Sequence, residues 1–289
     1  MGLENFVPQV WAAKLFVRLR KNLVFGDVVN KEYEGEITRM GDTVRINEIG
    51  PITVSDYTKY GALTWQALSS AQKILVIDQA KAFSFAVDDV DTAQMNPKIM
   101  NDAMSEASYA IADTIDQFIA GLYAGAGATP STTTYIGSSG SSLSVSSGNA
   151  IETLTYASRY LSEKNVPEQN RWIVIPPWLH QKLLLAETGT ISATAVPKLS
   201  TGDIVPGYVG AGFGFAEVRV SNNVSNNATQ YRVMCGDRSA ISYAGQVSKV
   251  KAVERESYFD EGIKGLYVYG AKVVRSEALL TLYLAEAAG

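Results

Sequence analysis

Between Asn96 and Ala124 the sequence NPKIMNDAMSEASYAIADTIDQFIAGLYA carries a pattern that one kind of secondary structure satisfies. Met100, Met104, Ala107, Ile111, Ile115, Phe118 and Leu122 follow one another at steps of three and four. At ~100° per residue that spacing keeps them in a single stripe of an α-helix. Asp102, Glu106, Asp113 and Asp116 fall on the far side of the wheel, so the pattern predicts one greasy face and one acidic face. Asn96 is a natural N-cap, and Pro97 suits the first helical turn, where its missing N–H removes no bond. Gly125 and Gly127 supply residues able to take positive φ just past the end. At ~1.5 Å per residue such a rod spans on the order of 40 Å, and it requires an equally long surface to lie on.

The chain has the apolar material to build that surface. Its 289 residues are 46% hydrophobic and 19% charged, a composition that excludes wholesale disorder and suffices for one large domain or two smaller ones. A net charge of -4 leaves no basic field for phosphate backbones, so sequence-specific nucleic-acid binding is not expected. The single cysteine, Cys235, cannot form an internal disulfide, and no CxxC or Cys/His cluster suggests zinc. Neither a signal pattern nor a myristoylation motif opens the sequence, and the apolar run Ile173 to Leu179 is far short of the ~20 residues a bilayer requires. A soluble protein with no membrane partner is expected. The Asn-x-Ser/Thr matches at Asn223 and Asn227 then read as chance matches in an Asn-rich turn.

On either side of the long helix the character changes. PQVWAAKLFVRLRKNL, from Pro8 to Leu23, reads as a packing helix with a solvated basic side. Short strand-like runs follow at Thr43 to Ile46, Ile52 to Tyr57, Ile74 to Ile77 and Phe83 to Val87, with turns at Gly41-Asp42 and Gly50-Pro51. They suggest a half-exposed hairpin with little core of its own, which must lean on something else. Residues 125–149, rich in Ser, Gly and Thr, read as a mobile loop or a loose hairpin of Thr132 to Ile136 with Leu143 to Ser146. Asn149 with Glu152 predicts a capping box and a helix that stops near Lys164. Arg171 to Ile175 reads as a buried strand, Pro177 opens a short helix, and Phe215 to Ser221, Tyr231 to Met234, Val247 to Glu256, Leu266 to Arg275 and Leu279 to Leu284 read as strands.

A search for catalytic chemistry yields no site. His180 lacks a second histidine or a nucleophile motif, and Cys235 reads as a small buried hydrophobe. Asp88, Asp89 and Asp91 do not follow EF-hand order, and they read as acids near a helix start rather than metal ligands. Gly210, Gly212 and Gly214 miss the GxGxxG pattern because Phe215 stands where its last glycine belongs. The expected catalytic, cofactor-binding and metal residues are therefore none.

Particular residues point to a family. Pro8-x-x-Trp11, Tyr33-Glu34-Gly35-Glu36-Ile37, Gly41-Asp42-Thr43-Val44, Asp56-Tyr57, Ile77-Asp78-Gln79-x-Lys81 and Val87-Asp88-Asp89-Val90-Asp91-x-x-Gln94 occur in one order. With Gly265-x-x-x-Tyr269-Gly270-Ala271-Lys272-Val273 near the end, the sequence resembles the major capsid (coat) proteins of tailed bacteriophages. The resemblance implies an α+β chain of the Hong Kong ninety-seven (Johnson) type: an N-terminal arm over 1–35 and an extended β-hairpin, the E-loop, over 36–91. It further implies a peripheral domain with the long spine helix and a flexible loop over 92–149, an α/β axial domain over 150–245, and closing strands over 246–289. It implies a structural subunit, not an enzyme, that self-assembles into hexamers and pentamers of an icosahedral head. Scaffolding, portal and cement proteins are the implied partners, with double-stranded DNA held by enclosure. The implied place is the virion capsid, after assembly in the host cytoplasm. Some relatives crosslink a lysine to an asparagine of another subunit; Lys59 lies in the implied hairpin, but no partner motif matches. Two other readings stand beside this one. One is an encapsulin-like compartment shell; the other is a small-molecule-binding α/β protein or hydrolase using His180 and the glycines from 207 to 214.

Overall fold

The computed structural model describes residues 24–33, 41–49, 52–54, 56, 59–60, 65–67, 70–88, 98–127, 135–189, 208–227, 229–254 and 260–287. The expected helix from Pro8 to Leu23, the caps Asn96 and Pro97, and the acids Asp89 and Asp91 lie outside them.

The main core is built on a six-stranded mixed sheet of order β4-β11-β8-β5-β7-β6. Its strands are β4 (Leu143–Val145), β5 (Arg171–Ile175), β6 (Tyr208–Gly212), β7 (Phe215–Val220), β8 (Tyr231–Asp237) and β11 (Leu279–Glu286). β5 is buried at every position, as its apolar run predicts, and runs parallel to β7 and antiparallel to β8. Of the flanking helices α3 (Ala150–Glu163) and α4 (Pro177–Gly189), α3 buries Ala150, Leu154, Ala157 and Leu161, the spacing of one helical face. Arg171 is charged but fully buried; its guanidinium donates to Ser158 O (3.3 Å), Ser162 Oγ (3.0 Å) and Val166 O (2.5 Å). Those acceptors lie on the C-terminal part of α3 and in the turn just after it, so one side chain from β5 fastens α3 to the sheet.

One local expectation is corrected here. Asn149 does not cap α3: its Oδ1 accepts the Ser146 N–H (2.8 Å) and its Nδ2 donates to Ser144 O (3.0 Å), binding the preceding turn instead. The expected partner run from Thr132 to Ile136 lies outside the described residues except for its last two. Leu143–Val145 runs parallel to β11, and the Tyr283 N–H donates to Ile136 O (2.7 Å). Val145 and Ile136 are buried, so apolar burial on the sheet outweighs the local Ser/Gly composition.

A second sheet has order β3-β10-β9, formed by β3 (Gln79–Asp88), β9 (Ile241–Glu254) and β10 (Asp260–Val273). From it extends a two-stranded hairpin of β1 (Thr43–Ile49) and β2 (Ser70–Val76), in register from Thr43↔Val76 to Ile49↔Ser70. The expected strand from Ile52 to Tyr57 is absent among the described residues 52–54 and 56. Pro51 just before it has no N–H to give a ladder, and the Thr53 N–H donates to the Gln66 side chain (2.8 Å) rather than to a partner strand's backbone. As anticipated, the hairpin has almost no core. Its buried Val44, Leu75 and Ile77 form a small cluster with Ala244 of β9 and Val268 of β10, with the partly buried Tyr33, Ile46 and Leu266 packed against it. Gly270 permits that seat, because a Cβ there would stand 2.3 Å from Val76 O.

The long helix α2 (Lys98–Ala120) tightens into a 3-10 turn at Gly121–Gly125. Its C-terminal half enters the main core through Ile115, Phe118, Ile119 and Ala120. There the Phe118 ring meets Tyr269 of β10 edge-on, 5.3 Å between centroids. From Ser105 to Thr114 no residue is fully buried, so this half overhangs the main core.

Candidate functional site

The residues screened for chemistry do not converge. His180 lies half-buried on α4, and burial holds its pKa below the ordinary histidine value. Gly210 and Gly212 lie in β6, and the Phe213-Gly214 turn (φ 55° and 81°) joins it to β7, so these glycines shape a hairpin rather than a phosphate loop. Lys59 rests over the Tyr60 ring at 5.2 Å. Among the described residues no group of three or more His, Cys, Asp or Glu is placed to hold a metal ion, and no helix is long and apolar enough to cross a membrane. A cleft of about 370 Å³ beside the hairpin base is lined by Lys73, Lys164, Asp237, Ser239, Arg275 and Glu277, and reaches neither His180 nor Cys235.

Cys235 sits in the middle of β8, opposite Ile173 on one side and Leu280 on the other, with no exposed surface. Desolvation pushes its thiol well above the ordinary value of 9.0, outweighing the pull of nearby Arg171. The thiol stays protonated in the fold while the unfolded chain ionises, so this group's contribution to stability falls as pH rises above the ordinary thiol value. Iodoacetamide at pH 8.5 is expected to leave the native thiol unmodified over hours and to alkylate it fully in urea, read by intact mass. Rapid native labelling would contradict this burial.

The acidic face of α2 divides. Glu106 is exposed as expected, Asp113 is half-buried, and Asp116 is 2% exposed. Asp116 does not face solvent or an interior space, which corrects the reading of the stripe. Its Oδ1 accepts the backbone N–H groups of Val24 (3.0 Å), Phe25 (2.7 Å) and Gly26 (3.3 Å), which open the single turn α1 (Phe25–Val28). Its Oδ2 accepts Asn223 Nδ2 (3.0 Å), and the same amide donates to Asp113 Oδ1 (2.8 Å). Burial raises the Asp116 pKa, while the hydrogen bonds from Asn223, Gly26, Phe25 and Val24 pull it down. Arg219 adds an ion pair to Asp27 of α1 at 3.3 Å. Pattern reading missed this junction, since its donors lie about a hundred residues away at both ends of the chain.

The surface carries a stronger functional signal. Ile52 is 70% exposed, and Val54, Tyr60 and Trp65 are each 92% exposed. All four lie beyond the last β1–β2 pair, Ile49↔Ser70, at the far end of a hairpin that the body of the chain holds only at its base. Four large apolar side chains exposed beyond the paired part of one hairpin are a candidate contact surface.

The model of the family described as "Phage capsid protein" matches residues 70–282. A comparison with curated proteins finds no match. Among solved structures, a chain of Mycobacterium phage Che8 is similar at 27% identity and TM-score 0.73, over 97% of this chain and 98% of that one. A chain of the capsid structure of cyanophage P-SCSP1u is 18% identical at TM-score 0.73, covering 99% and 95%. A chain of the capsid of Ralstonia phage GP4 is 13% identical at TM-score 0.69, covering 100% and 98%.

Proposed function

The chain belongs to the phage capsid protein family, and on that footing we propose how its elements build a shell. It is a tailed-phage major capsid protein, a structural subunit rather than an enzyme, whose place is the virion capsid and whose partner is itself. The β1–β2 hairpin acts as the E-loop that reaches onto a neighbouring subunit. α2 acts as the spine over the β3-β10-β9 sheet of a peripheral domain, and the six-stranded sheet with α3 and α4 forms the axial domain. The pairing of β3 with β10 supports counting Gln79–Asp88 with the peripheral sheet rather than with the hairpin. The arm of residues 1–35 joins this body at α1. Subunits close as hexamers and pentamers, aided by scaffolding, portal and cement proteins in the host cytoplasm. They enclose double-stranded DNA without gripping it, in keeping with the net charge of -4.

The observation that carries this reading is the coreless hairpin whose exposed tip holds Ile52, Val54, Tyr60 and Trp65. A monomer gains nothing from such an element, whereas a closed shell of identical subunits buries it on every neighbour. Size-exclusion chromatography and negative-stain microscopy of the expressed chain, with and without its scaffolding partner, are expected to show closed shells tens of nanometres across. A monodisperse species near 31.2 kDa under both conditions contradicts the proposal.

A further inference from the structure

We propose that Asp116 and Asn223 form a latch, which ties the point where the N-terminal segment joins the body to the loop between β7 and β8. The inference rests on the capsid reading only for its consequence in assembly; the latch itself is a property of one chain. One buried carboxylate serves both partners: Oδ1 takes the three opening amides of α1, and Oδ2 takes the Asn223 amide. Asn223 is 7% exposed, and its own N–H donates to Ser221 Oγ (3.1 Å), so the loop cannot shift without disturbing the acceptor.

Other polar contacts of this segment among the described residues include the Asp27–Arg219 pair (3.3 Å) and, past the turn, the Asn30 backbone bonded to Ile241 O (3.0 Å) and the Tyr243 N–H (2.9 Å). Arg219 lies on β7, the strand that leads into the same loop, so a second contact joins the same two elements. Beside the junction a cleft of about 280 Å³ opens between Gly26, Lys31, Ile115, Tyr243 and Tyr267. The turn is seated by Val24, Phe25 and Val28, which are buried in the main core, and Asp116, which also lines the cleft, supplies the bonds to its opening amides. Displacing the Asn223 loop deprives Asp116 of a donor and loosens α1; withdrawing α1 leaves Asp116 a buried, under-bonded anion that releases the loop. An ordinary cap would stabilise α1 alone. A latch couples two elements far apart in sequence, and in a shell it would let the body sense where the arm is drawn.

Hydrogen exchange on the purified full chain, resolved at single amides, separates these two roles without requiring a shell. In Asn223→Ala, which touches none of the α1 donors, the amides of Val24, Phe25 and Gly26 are expected to exchange about tenfold faster, while those of Ile173 and Val233 keep wild-type rates. Asp116→Asn keeps the shape and an acceptor for α1 but turns an amide donor toward Asn223. It is expected to accelerate the same three amides and also Asn223's own. Unchanged rates at Val24 to Gly26 in Asn223→Ala overturn the latch and leave a simple cap. Acceleration that extends equally to Ile173 and Val233 overturns it too, as global destabilisation. Loss of closed shells in wild type with selective acceleration in both variants would count against the capsid reading and not against the latch.

Discussion

Phe118→Asp is expected to abolish soluble, assembly-competent protein. The ring fills the angle between α2 and β10, edge-on to Tyr269, which is itself 1% exposed and packed near Tyr243 and Tyr267. Truncating a fully buried aromatic side chain costs about 3–5 kcal/mol, and the partly buried Phe118 falls at or below the lower end of that range. An aspartate adds a carboxylate that must be desolvated against the core, a further cost unless it takes up a proton. A domain holds only about 5–15 kcal/mol in total, so the variant loses a large fraction of its stability at one site. Thermal unfolding and the soluble fraction after expression measure this, and a Tm within a few degrees of wild type would show that α2 is not seated through Phe118. Ile111→Asp makes a useful contrast. Ile111 is equally half-buried but lies on the overhanging half of the helix, away from the main core that Phe118 packs against, so its folding cost is expected to be smaller, with its main effect on what covers that half in the shell.

The difference between those two positions shows where pattern reading of this helix reaches its limit. The stripe through Ile111, Ile115, Phe118 and Leu122 omits Ile119, which the structure buries completely together with Ala120. Asp116 lies about 60° from Ile119 on the wheel, so the buried arc turns far enough to take in a residue the stripe assigned to solvent. Periodicity locates a helix and its apolar side, but a carboxylate is drawn inside by donors elsewhere in the chain, and no local window contains Val24 or Asn223. β5 was legible because five consecutive buried positions leave an apolar run whatever the partner strands are. The edge pairing of Leu143–Val145 with β11 was not, since a three-residue strand in a Ser- and Gly-rich stretch is fixed by its neighbour rather than by its own composition. The same holds for Asn149, whose capping potential is spent on Ser144 and Ser146 because the turn before α3 needs those bonds. Cys235 reads correctly from sequence because its burial follows from the apolar strand around it.

Replacing Ile52, Val54, Tyr60 and Trp65 together by serine is expected to leave the subunit folded and to prevent shell closure. The four side chains contribute almost nothing to the fold, being 70% to 92% exposed, and surface changes of this kind usually alter stability by no more than about 0.5 kcal/mol. In a shell the same side chains would pass from water into contact with a neighbour, at about 1.5–3 kcal/mol for each large apolar group fully buried. Loss of Tyr60 and Trp65 alone would then remove on the order of 3–6 kcal/mol from each subunit contact, a weakening of roughly 10² to 10⁴ in association. In the proposed shell every subunit both offers a hairpin and receives one, so the loss would recur at each contact around a closed particle and assembly would fail cooperatively. Circular dichroism and the melting temperature should match wild type, while chromatography shows the unassembled subunit and microscopy shows no closed particles. Normal shells from the quadruple variant would mean that the hairpin tip is not an assembly contact, and the weight of assembly would shift to the overhanging half of α2 and to the edges β3 and β9 of the three-stranded sheet.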